Sequence, residues 1–101
     1  MRNEDELKKE LIDCTERISV GILSGFLMDV HKTVAYYEQI RTGNTIENRE
    51  SNDAKLQKYT TASFSRIPSE KLKNIFYWDQ AKLLWCCKKD IEEIVKRKGA
   101  I

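Results

Sequence analysis

Cys14, His31, Cys86 and Cys87 are side chains of the types that hold a structural zinc ion. Their spacing argues against that role. Zinc sites draw ligand pairs about two to four residues apart, whereas adjacent residues on a helix point about 100° apart. All three cysteines instead fall on core-facing positions of helical patterns, where a free thiol packs as a small hydrophobe. No metal and no cofactor is expected. His31, the only histidine, sits at the edge of an apolar stripe near Asp29 and Lys32. Catalysis by histidine needs a nucleophile or a second acid within reach, and the spacing supplies neither. Asp79 projects between Ile75, Leu83 and Cys86, where burial would raise its pKa and make it a candidate acid or base. The competing expectation is a carboxylate paired with a lysine or hydrogen-bonded by Tyr36, Tyr37 or His31, because buried charge is normally paired.

The strongest candidate surface is aromatic and basic. Trp78 and Trp85 stand seven residues apart, and Lys82, Lys89 and Lys96 fall beside them on the helical projection. The two indoles lie roughly opposite an apolar sector of Leu72, Ile75, Phe76, Leu83, Cys86, Cys87, Ile91 and Ile94. A helix apolar behind and aromatic in front has two surfaces to bury. Either a partner covers the second, or the other helices of the chain do. Trp is enriched among residues that dominate interfaces, and Lys stems pack well beside indole. Trp78, Lys82, Trp85 and Lys89 are therefore the expected contact residues.

Helices must position these groups. Leu7, Leu11, Cys14 and Ile18 step at helical spacing and predict a helix over about 4–18. Leu23, Phe26, Leu27, Val30, Val34 and Tyr37 predict a second over about 22–41, rotated well over 90° from the first. That phase change coincides with Ser19, Gly21, Ser24 and Gly25, so a kink or tight turn belongs there. A short strand is the alternative, since Ile18, Val20 and Ile22 alternate. Gly43 marks the end of the second helix, and 43–52 reads as a surface loop. Residues 53–60 can form a short helix, and 58–65 stay open between helix and strand. Pro68 and Ser69 signal the start of a long helix over 68–98. The fold expected is an all-α bundle of three to four helices in one domain, with that C-terminal helix as its spine.

Composition narrows the function classes. The chain has 101 residues, with eighteen basic and sixteen acidic side chains giving a net charge of +2, well mixed along the sequence. That balance makes no field strong enough to select nucleic acid or a membrane. The N-terminal residues show no signal-peptide pattern, and the run 18–30 is too short and polar to span a bilayer. Three cysteines make a poor disulfide framework. A cytoplasmic, intracellular protein is expected. The mix of Lys, Ile, Asn and Glu is compatible with a low-GC microbial, mobile-element or viral gene. No residue pattern carries a family resemblance; size and architecture match small helical inhibitor, immunity or adaptor proteins by analogy alone.

The leading functional expectation is a small non-enzymatic regulatory protein, an inhibitor or adaptor. It would bind another protein, or a second copy of itself, through the Trp/Lys face and act by occlusion. A nucleic-acid-binding regulator using the same lysines and indoles is the alternative. A small enzyme using Asp79 or His31 is the third.

Overall fold

A computed structural model describes residues 3–43 and 49–99. Helices follow in the order α1 (Glu4–Arg17), α2 (Val20–Thr42), α3 (Arg49–Ser65), α4 (Glu70–Lys73) and α5 (Tyr77–Arg97). No strand occurs among the described residues. The protein is an all-α bundle with a long C-terminal helix, and no helix among the described residues is long and apolar enough to cross a membrane.

Local chemistry accounts for most boundaries. Asn3 caps α1 by accepting the Asp5 N–H at 2.8 Å, and Glu4, Asp5 and Glu6 follow at the positive end of the helix dipole. Ile18 and Ser19 both adopt extended backbone and make the turn into α2. The tight turn is thus realised and the strand alternative is not; Gly21 and Gly25 lie inside α2. Gly25 has a packing role: a Cβ there would stand 3.3 Å from the Arg66 guanidinium, which lies across this turn and pairs with Asp29. Gly43, at φ 67°, closes α2 as expected.

The third helix is longer than the sequence pattern indicates. It takes in 49–52 from the expected loop and continues through the undecided stretch to Ser65; positions 44–48 of that loop lie outside the described residues. The hydroxyls of Ser63 and Ser65 donate to the carbonyls of Tyr59 and Ala62 at 2.9 and 2.6 Å. These residues thereby satisfy themselves within the helix, and packing of Leu56 and Phe64 overrides their β preference.

The expected continuous helix over 68–98 is broken. Pro68 precedes the cap instead of occupying the first turn, and α4 is a single turn ending at Asn74. Ser69 does cap it, accepting the Leu72 N–H at 3.2 Å while donating to Glu10 of α1 at 2.8 Å. Asn74, Ile75 and Phe76 then separate α4 from α5. The buried Gln80 side chain secures this break, donating to the carbonyls of Leu72 and Lys73 at 2.9 and 3.4 Å. It satisfies acceptors that a continuing helix would have satisfied itself.

The bundle centres on α2, which packs against α3 on one side and α5 on another, while α1 runs along the far flank of α5. Leu11, Leu23, Phe26, Val30, Phe64, Leu84 and Ile91 are fully or almost fully buried in the main core. A second, smaller cluster joins Tyr37, Leu56 and Ala81, with Trp78 and Trp85 packed against it.

Two substitutions test this account in urea titrations. Gln80→Leu leaves two carbonyls without their donor and should cost about 1–3 kcal/mol. Thr60 Oγ1 is buried without a hydrogen-bond partner among the described residues, so Thr60→Val should leave stability unchanged or raise it by about 1 kcal/mol.

Candidate interaction surface

The break before α5 changes which of its residues face inward. Leu72, Ile75 and Phe76 do not belong to that helix, and the side chains it does bury centre roughly 70° around the helical wheel from the expected sector. Gln80, Ala81, Leu83, Leu84, Cys87, Ile91, Ile94 and Val95 are buried. Three expectations are corrected as a result. Cys86 is exposed, whereas Cys14 and Cys87 are buried. Asp79 is exposed at the first turn of α5, instead of buried among Ile75, Leu83 and Cys86. Phe76, placed in the apolar sector, is 60% exposed with its ring 4.8 Å from that of Tyr77.

The four expected contact residues fall into three places. Trp78 is half-buried, its ring centroid 5.5 Å from Tyr37 in an edge-to-face contact. Trp85 is also half-buried, 5.9 Å from the same tyrosine, and donates its indole N–H to Glu38 at 2.6 Å. The Arg41 guanidinium lies 4.6 Å above its ring. Lys82 stands 3.8 Å from Glu4, in a crevice between α1 and α5 that it shares with Leu7, Asp79 and Leu83. Lys89 lies on the opposite flank of α5, in a groove against α2 together with Trp85.

That groove is larger than the crevice that holds Lys82. One hollow of about 520 Å³ is lined by Val34, Glu38, Trp85, Cys86, Lys88, Lys89 and Glu92. A second, of about 450 Å³, is lined by Leu27, His31, Lys89, Glu92, Glu93 and Lys96. Lys89 and Glu92 belong to both, so the two form one channel along antiparallel α2 and α5. Leu27, His31, Val34 and Glu38 recur at steps of four, three and four, which sets them on one edge of α2. Two carboxylates of the channel are engaged: Glu38 with the Trp85 indole, and Glu92 with His31 at 3.7 Å. Lys88, Lys89 and Lys96 make no ion pair among the described residues.

The remaining chemical groups are dispersed. His31 lines the α2–α5 channel and Asp79 the α1–α5 crevice, so the two candidate acid–base residues do not meet. No group of three His, Cys, Asp or Glu side chains is placed to hold a metal among the described residues. Burial pushes the Cys87 thiol up to about 11, with Cys86 adding to the effect. Burial and then Glu10 also raise Cys14. A further hollow of about 580 Å³ lies between α3 and the α4–α5 junction, lined by Gln57, Thr61, Phe64, Lys73, Phe76 and Tyr77. There Tyr77 donates to Asp53 at 2.9 Å, and burial, followed by that carboxylate, raises its ionisation.

Comparison with known proteins finds no similarity: no family model, no curated protein and no solved structure matches this chain.

The thiols give a direct check on the rotated face of α5. Raised thiol pKa values keep Cys14 and Cys87 protonated at pH 8, and burial shields them. Ellman's reagent should therefore titrate one thiol rapidly in the native protein and three in denaturant. Cys86→Ser should abolish the rapid phase.

Proposed function

We propose that this chain is a non-enzymatic regulatory protein that binds another protein along the α2–α5 channel and acts by occlusion. The observation that supports this most is the channel's cross-section. The buried Leu27 and Val34 form the channel's floor and the half-buried Trp85 ring supplies apolar surface between charged edges, the arrangement that receives the apolar face of a helix. From Leu27 to Glu38 the α2 edge runs about 16 Å at the helical rise, three turns of a docked partner. Trp85 is held in advance by Tyr37, Glu38 and Arg41. Little side-chain entropy is then lost on binding, which favours Trp85 as an anchor. Lys89 stands beside it, whereas Trp78 supports α5 from the aromatic cluster and Lys82 lies outside the channel.

Affinity capture from a cell lysate with nuclease present tests this reading. His31→Trp fills the middle of the channel from an exposed position, and Lys9→Glu on α1 serves as a control. A protein retained by wild type and Lys9→Glu, and lost with His31→Trp, is the expected result. A partner that survives His31→Trp, or binding carried by nucleic acid and lost steeply with salt, overturns it.

A further inference from the structure

We infer that the partner element is an acidic amphipathic helix whose carboxylates, spaced seven residues apart, meet Lys89 and Lys96; this rests on the channel being the binding site.

The two edges of the channel differ in chemistry. Along α2 the edge is Leu27, His31, Val34 and Glu38, whose one carboxylate accepts from the Trp85 indole. Along α5 the edge is basic: Lys89 and Lys96 line the channel seven residues apart, about 10 Å along the helix. An occupant matching both edges has an apolar stripe with a row of negative charge along one border.

The chain already seats one helix of this kind on α5. Running parallel to α5, α1 meets the far flank with Glu4 at 3.8 Å from Lys82 and Glu16 at 2.9 Å from Arg97. Leu7, Leu11 and Cys14 supply its apolar side. On the channel flank the equivalent cations, Lys89 and Lys96, make no ion pair among the described residues, and two carboxylates of the channel, Glu38 and Glu92, are engaged by Trp85 and His31. Glu93 is the exception: it is exposed between the two lysines and makes no ion pair among the described residues. An acid on the partner opposite Glu93 would be repelled, so the lysines favour carboxylates seven residues apart over four.

Two synthetic 21-residue peptides with the same Leu/Ala face test this by NMR titration of the ¹⁵N-labelled full chain. One carries Glu at two border positions seven apart; the other carries Lys there. The expected result is that the Glu peptide shifts amides around His31, Val34 and Lys89. The double substitution Lys89→Glu/Lys96→Glu should weaken it roughly tenfold and make the Lys peptide the better ligand. If both peptides shift these amides equally, the acidic class is wrong while the channel remains the binding site. Shifts confined to α1, or none, overturn the inference; the channel reading itself is judged separately by His31→Trp in the capture experiment.

Discussion

One buried amide fixes the geometry on which the candidate surface depends. Gln80 reaches back from α5 to the carbonyls of Leu72 and Lys73 and so allows one turn of helix to stop. Without such a donor, the Leu72 carbonyl would be buried and unpaired and the half-buried Lys73 carbonyl would lose its partner, a combined cost of about 1–3 kcal/mol. With it, the chain can change direction at Asn74–Phe76 and begin α5 on a new axis. Ser69 reinforces the same junction from the other side, tying α4 to Glu10 of α1. The orientation of α5, and with it which side presents lysines and which presents leucines, follows from these few hydrogen bonds.

The second determinant is α2. Placed between α3 and α5, it buries two arcs of its circumference and is the least polar of the long helices. Its contact with α3 is polar-aromatic as well as aliphatic: Tyr36 stacks on Tyr59 at 5.9 Å, and Lys32 and Lys58 lie over the Tyr59 ring. Its contact with α5 is aliphatic below and aromatic at one end, where Tyr37 meets both tryptophans. The indoles thus join three helices while Trp85 still borders an open channel. Covering by the chain and display to a partner are compatible for such a residue, because a large ring has two faces and an edge.

How far the sequence carries depends on the length of each pattern. The 4-3-4 repeat of α1, the stripe of α2 and the terminator Gly43 were all legible, since each repeats over several turns or rests on one conformationally unusual residue. The break at 74–76 was not, because Leu72, Ile75 and Phe76 fall at helical spacing with Leu83 and Cys86. Only the polar Gln80 inside that sector signals a group with another task. The candidate site inherited this error. A helical phase taken across two separate helices turns Cys86 and Asp79 inward and leaves out Ala81 and Leu84. Trp85 and Lys89 line one hollow. The α2 half of the channel, Leu27 to Glu38, was invisible because its partner lies more than forty residues away in the chain.

The position of α1 also bears on the order in which the bundle assembles. Its bonds to α5 span about eighty residues: Glu16 to Arg97, and the Ile18 carbonyl to Lys98. Contacts this distant in sequence close the largest loop in the protein, and their entropic cost is met only after nearer elements have formed. The α2–α3 pair, joined by a short connection, has no such cost. Few α1 side chains are fully buried, Leu11, Cys14 and Thr15 among them, so this helix returns comparatively little apolar burial for the loop it closes. The architecture is that of a bundle whose outer strap is tied on by its most sequence-distant bonds. The flank of α5 beneath α1 is the part of the core whose cover rests on closing that longest loop.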